Sequence, residues 1–391
     1  MRTLVLLSCV ALIAACEVPS DTDSGTGGGG GAMGGGSAAT GAGAATGGGA
    51  ATGGGAATGG GTATGGGAAT GGGAVTGGGA ATGGGTATGG GSATGGGSAA
   101  GGGSATGGGN PFEGINPLAD AGNAQLIDAG FQFVEGPQWV PALNSLLFSD
   151  IPANRIYRFD PATGISSFLS PSGNSNGIAL APNGDLIICQ HAGTVTRLKP
   201  DGGTTVIASN IDGGTLNSPN DAVVRSDGTI YFTDPSYGGT GSVGFRGVYR
   251  IDPNTGQLFL IYATTSGQPN GLALSPDESI LYMADSMASE VRVFNVAPNG
   301  TTTASTRFTL TSAGGPGGSG GDGITTDVNG NLYVSTSVGV KVYRPDAGYL
   351  GRVQLAQEPA NCAFGDADHQ TLYITARTGL FRVRLNVPGP W

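Results

Sequence analysis

One pattern recurs six times after residue 134, and no other property of the chain restricts its fold as strongly. Each copy opens with a residue that carries a side-chain oxygen, usually followed by Gly or Asp. A short apolar strand comes next, often then an Asn-Gly or Asp-Gly type turn, and a second strand rich in Ile, Leu and Tyr. The copies open at Glu135, Asn176, Asn220, Asn270, Asp322 and Asn361, about 40 to 52 residues apart. Most are followed by a third strand, such as Arg155-Ile156-Tyr157-Arg158-Phe159 or Gly247-Val248-Tyr249-Arg250-Ile251. Turns of this type between alternating strands are strong hairpin signals. Units of three or four strands at this spacing, with no helical periodicity between them, predict an all-β, six-bladed β-propeller. A β-sandwich is the alternative, but it has no reason to repeat so regularly. A propeller must also close its ring. Gln125-Leu126-Ile127 is an apolar strand with no blade of its own. It is expected to form the outer strand of the last blade, beside residues 379–385, and to cover that edge.

The sequence ahead of this region is of another kind. Most of the 81 Gly residues lie between 25 and 109, where Met33 and Val75 are the only large apolar side chains. From about Thr46 the unit Thr-Gly-Gly-Gly-Ala-Ala repeats with a period of six. Hexapeptide β-helices fill their interior with branched aliphatics, which are missing here, so the expectation is a disordered tether. A Gly-rich coil of about 85 residues spans roughly 50 Å r.m.s.. Further upstream, Met1-Arg2 gives a positive start to an apolar run from Leu4 to Ala15. That run is too short to span a bilayer and suits a signal-peptide core. It ends in Leu12-Ile13-Ala14-Ala15-Cys16, which resembles the lipobox of bacterial lipoproteins. The resemblance implies cleavage before Cys16, lipidation of Cys16 and anchoring to a bacterial membrane. Glu17, where Asp would signal inner-membrane retention, favours the outer membrane, with the folded domain in the periplasm or at the cell surface. An ordinary signal peptide with an incidental Cys16 is the alternative. The expected division is therefore 1–15 signal peptide, 16–122 lipidated terminus and linker, and 123–391 propeller.

The net charge of −10, with no run of Lys or Arg, excludes nucleic acid as a partner. His191 and His369 are the only histidines, so a His-rich zinc site and any mechanism needing several imidazoles are excluded. The four cysteines show no metal-ligand spacing. Cys189 and Cys362 fall in blades far apart in order and are expected to be buried free thiols, even in an oxidising compartment. Trp139, Tyr231 and Phe232 are expected in the core.

In a propeller the first strand of each blade lines the central channel, so the six opening positions converge on one axis. Carboxylates and amides without sulfur or imidazole suit one divalent metal ion. Ca2+ comes first, and Mg2+, Mn2+ and Zn2+ are also compatible. The alternative is that Asn and Asp open each repeat as turn residues. That does not account for Glu135 ahead of Gly136-Pro137.

The phrases Glu135-Gly136-Pro137-Gln138-Trp139, Ser218-Pro219-Asn220-Asp221, Thr233-Asp234-Pro235-Ser236-Tyr237-Gly238, Pro269-Asn270-Gly271-Leu272-Ala273 and Asp322-Gly323-Ile324 resemble the gluconolactonase, senescence marker protein (regucalcin) and luciferin-regenerating enzyme family. Their order and spacing carry the resemblance from about residue 123 to 385. It implies a metal held by Glu135, Asn270 and Asp322, with Asn220 beside the ion or coordinating it. It also implies hydrolysis of a lactone or related ester. The metal would polarise the carbonyl, Asp322 would be ligand and general base, and Asn220 would orient the substrate. Two family features are missing. Thr215 stands where many members have a basic residue, and Ala192-Gly193-Thr194 follows Cys189-Gln190-His191 where Arg is common. His191 is either a substrate contact or a strand-end histidine in an ordinary hydrogen bond. The expected partners are a small-molecule lactone or ester and the membrane, with the chain a monomer. Hydrolysis of phosphotriester-like or aryl-ester compounds at the same site, or a non-catalytic binding propeller, are the competing readings.

Overall fold

The computed structural model describes residues 110–310 and 320–390 continuously, together with the backbone of short strands between 38 and 106. The chain separates into two units, residues 1–109 and 110–391. The expected signal peptide and the expected lipidation site, Cys16, lie outside the described residues.

The second unit is the six-bladed propeller. Each blade is a four-stranded antiparallel sheet. Blade 1 opens with Val134–Val140, blade 2 with Ser175–Leu180 and blade 3 with Ala222–Val224. Blade 4 opens with Pro269–Leu274, blade 5 with Ile324–Thr326 and blade 6 with Asn361–Gly365. Blade 6 takes its outer strand from the start of the unit. Gln125–Ala129 pairs antiparallel with Gly379–Arg384, Gln125 opposite Arg382 and Ala129 opposite Gly379. This closure joins the two ends of the domain, as the unpaired apolar segment predicted.

Burial falls from the axis outward, and the sequence follows it. Val134–Val140 and Pro269–Leu274 are almost wholly buried, whereas the outer strand Thr204–Ala208 faces solvent over its first three residues. The core consists of apolar layers wedged between neighbouring blades. Ile187 and Val195 of blade 2 pack with Ile230 and Phe232 of blade 3. Val134 and Phe148 of blade 1 pack with Tyr373 and Leu380 of blade 6. Each such side chain contributes about 1.5–3 kcal/mol on full burial. Trp139 stacks on Tyr373 with ring centroids 5.9 Å apart, and Tyr231 and Phe232 are fully buried. Cys189 and Cys362 are buried free thiols.

The unit starts earlier than the repeats do. Residues 110–122, placed with the linker by sequence, belong to the propeller unit. Asn110 Nδ2 donates to the Val328 carbonyl at 3.2 Å, and Asn386 N donates to the Pro117 carbonyl at 3.2 Å. Val328 lies in the turn that ends the first strand of blade 5, so the chain enters the propeller on the face opposite the start of the inner strands.

In the first unit, the backbone of the repeat pairs in parallel. Ala38 aligns with Ala50, Ala50 with Thr62 and so on at a step of twelve, while the intervening hexads form a second sheet from Ala44 onward. An in-register repeat brings the same backbone N–H and C=O groups together at each step.

Candidate active site

The opening residue of each blade is placed by contacts between blades. Gly177 N donates to the Asn220 carbonyl at 2.6 Å, Gly271 N to the Asp322 carbonyl at 3.2 Å, and Gly323 N to the Ala360 carbonyl at 2.7 Å. Hydroxyls add to the ring. Ser149 Oγ donates to the Asn176 carbonyl at 2.7 Å and Thr233 Oγ1 to the Asn270 carbonyl at 2.7 Å. This explains the glycine after so many opening residues. A Cβ on Gly136 would overlap the Asn176 carbonyl, and one on Gly271 would overlap the Asp322 carbonyl. Blades pack too closely at the axis for a side chain there. Asp221 and Cys362 are the departures.

Five of the six opening residues, Glu135, Asn176, Asn220, Asn270 and Asp322, line one cavity of about 460 Å³. His191 lines it too. Asn361 does not. It lies on a second, smaller cavity at the other end of the channel, with its Oδ1 accepting from Cys362 N at 2.8 Å. Its side chain also stabilises the carboxylates of both Glu135 and Asp221 by hydrogen bonding. Asn361 thus supports the site from below instead of lining it, which corrects its place in the ring.

The carboxylates are strongly perturbed. Burial, and then the charge of Asp322, push Glu135 well above the usual range, against a hydrogen bond of 3.0 Å from Gly136 N. Burial pushes Asp322 up to about 7, opposed by the Asn270 side chain and reinforced by the charge of Asp221. Asp221 is itself pushed up to about 7 by burial, although Leu272 N and Ala222 N donate to it at 2.9 and 3.0 Å. In all three, burial is the main cause, because it disfavours the charged form. Among the described residues no Lys or Arg lines the cavity. Asn176 Oδ1 is buried without a hydrogen-bond partner.

These features fit a cation. Two buried carboxylates that raise each other's cost of ionising share a wall with no Lys or Arg, and an orphaned amide oxygen stands in the same wall. All the donors are oxygens, as hard divalent ions require. Among the described residues no three His, Cys, Asp or Glu side chains gather as a metal group. Amide oxygens from Asn220 and Asn270 would have to complete the shell.

The imidazole of His191 is neutral. Burial alone lowers it to about 4. Its Nε2 lies 3.2 Å from Asn176 Nδ2, which can only donate, so Nε2 accepts and Nδ1 carries the proton. His191 makes a hydrogen bond with Asn176 and also lines the cavity. Among the wall residues that sequence reasoning passed over, two are linked to Asn270. Tyr237 Oη lies 2.6 Å from Ser286 Oγ, which accepts from Asn270 Nδ2 at 3.1 Å. Tyr237 stood in a quoted phrase, but nothing in the sequence distinguished its ring from core packing. Ser286 had no signal.

The profile described as the SMP-30/Gluconolactonase/LRE-like region matches residues 133–378. The chain belongs to this family. The matched region includes all the cavity residues named above and blades 1 to 5, and stops before the two outer strands of blade 6. A gluconolactonase of Zymomonas mobilis is 36% identical over 300 residues, covering 68% of this chain and 82% of its own. The pentonolactonase XacC of Haloferax volcanii is 29% identical over 260 residues, covering 65% of this chain and 85% of its own. Among solved structures, the gluconolactonase XC5397 of Xanthomonas campestris aligns with a TM-score of 0.63 at 30% identity, over 69% of this chain and 91% of that one.

Proposed function

We propose that the chain is a hydrolase that opens a lactone in this cavity. The observation that carries the reading is the meeting of Glu135 and Asp322 with amide groups at one end of the channel, in a chain whose relatives include a gluconolactonase and a pentonolactonase. Glu135, Asn270 and Asp322 would hold one divalent cation, Ca2+ first, with Asn220 beside it. When bound, that cation supplies polarisation of the lactone carbonyl and countercharge for the oxyanion.

The remaining steps belong to the protein. Asp322 takes a proton from water at a carboxylate oxygen as the water oxygen bonds to the carbonyl carbon. The ring C–O bond then breaks, and Asp322 returns the proton to the departing oxygen, leaving a hydroxy acid. Asn220 and the neutral His191 orient substrate oxygens. Ser286 and Tyr237 hold the Asn270 amide, which leaves its oxygen free to turn towards the cation. Upstream, Cys16 carries the lipid that anchors the chain to the outer membrane, and the propeller acts as a monomer. Metabolic labelling with a fatty-acid analogue, lost in Cys16→Ala, tests the anchor.

The catalytic reading is tested by a panel of lactones, an aryl ester and a phosphotriester, with and without chelator. Lactone turnover that is abolished by chelation and restored by Ca2+ is the expected result. Glu135→Gln should raise the Ca2+ concentration needed for half-maximal turnover by at least roughly ten-fold. Turnover confined to the phosphotriester, or indifferent to chelation, would remove the proposal.

A further inference from the structure

The walls of the cavity differ by blade. Phe133, Ile151 and Pro152 come from blade 1 and the segment leading into it, and Ile151 N donates to the Phe133 carbonyl at 3.1 Å, so they form one continuous surface. Pro359, ahead of the inner strand of blade 6, extends this surface on its other side. The opposite arc is polar: Asn176 and His191 from blade 2, Asn220 and Tyr237 from blade 3, Asn270 and Ser286 from blade 4. The apolar side chains of the wall are thus gathered at blades 6 and 1, beside the carboxylates of Glu135 and Glu358, while the side chains from blades 2 to 5 are hydrogen-bonding groups.

The charges are one-sided as well. The charged residues on the cavity wall are Glu135, Asp322 and Glu358, all acidic. The nearest guanidinium, on Arg377, is already engaged. It pairs with Glu358 and lies 5.6 Å over the Phe133 ring. An anionic group on a substrate would find no free countercharge beyond the cation and would face carboxylates.

We propose that the lactone taken here is uncharged and carries an apolar substituent, an alkyl or aryl group seated on Phe133, Ile151 and Pro152. Its ring oxygens face the amides and His191. This rests on the lactone-hydrolase reading and adds the substrate class. Burial of methylenes against such a wall raises kcat/KM, and each that is fully buried is worth roughly four-fold. Hydrolysis consumes one water and yields the corresponding 4- or 5-hydroxy acid, with no other reactant.

The test compares kcat/KM of the Ca2+-loaded full chain for γ-butyrolactone, its γ-methyl, γ-butyl and γ-phenyl derivatives, glucono-δ-lactone, and a γ-lactone bearing a free carboxylate. The expected result is a rise of at least ten-fold from methyl to butyl, with the carboxylate-bearing lactone the poorest. Ile151→Ser should flatten the rise along the alkyl series, and the purified variant's melting curve shows whether it is folded. A flat alkyl series, or preference for the anionic or the polyhydroxylated lactone, overturns the inference while leaving lactone hydrolysis standing. Absence of turnover on every lactone, with Ca2+ binding established by titration, overturns both.

Discussion

Asp322 differs from the ring amides around it in being able to hold a proton, and its surroundings bring that proton's pKa to about 7 when no cation compensates it. A divalent ion alongside would lower this and keep the carboxylate ready to accept. Asp322→Asn keeps the shape and one oxygen donor but cannot take a proton at neutral pH. Turnover at saturating Ca2+ should fall by at least roughly 10²-fold with the fold intact. Near-normal turnover in a variant shown to be loaded would reduce Asp322 to a ligand. His191 gives a second residue-scale prediction, on stability. Its folded pKa is about 4, below its ordinary 6.5. Between pH 6.5 and 4 the unfolded chain takes up a proton here that the folded chain refuses. Stability is therefore lost as pH falls through that interval, by up to about 3 kcal/mol at about 1.4 kcal/mol per unit. The raised carboxyls of Glu135, Asp221 and Asp322 act in the opposite direction in the metal-free protein. The comparison must therefore be between wild type and His191→Gln, both stripped of metal. The drop in Tm from pH 7 to 4.5 should be smaller in the variant, and equal drops would show that the imidazole protonates freely in the folded state.

Among elements, the strand Gln125–Ala129 contributes little apolar burial, since Leu126 is 55% exposed. Its role is to occupy the hydrogen-bonding edge of Gly379–Arg384. A chain beginning at Gly130 should consequently expose that edge and self-associate, seen as rising light scattering at micromolar concentration, before it loses much secondary structure. A stable monomer would show that the edge is harmless. The closing strand was legible because an apolar segment without a blade has only one free edge to cover. The ring was legible for a related reason: equal repeats place equal positions near one axis. Repetition fixes where a backbone lies, but the side-chain rotamer decides which end of the channel a group faces. That is why Asn361 turned out to support the site from beneath. The glycine after four of the six opening residues was visible, and its cause, contact with the next blade, was not. Tyr237 and Ser286 lie beyond the repeated strands, where the copies differ, and no internal comparison singles them out.

For the whole molecule, every residue lining the cavity lies in the second unit. A protein beginning at Asn110 should keep the specific activity of the longer chain in solution, and a large loss would give the first unit a part in catalysis. Residues 110–122 must stay, because Asn110 and Pro117 are tied to blade 5 and to the carboxy-terminal segment. That segment follows the same face: Val328 N donates to the Pro388 carbonyl at 2.9 Å, and Pro390 lies on the smaller cavity. Both ends of the propeller unit, Asn110 and Pro390, therefore lie behind the propeller, away from the opening through which a small molecule enters. Any bead, fusion partner or surface joined at Asn110 or after Pro390 would take hold of the blind side. Solutes would still arrive from the front, and immobilising this protein should cost it no access.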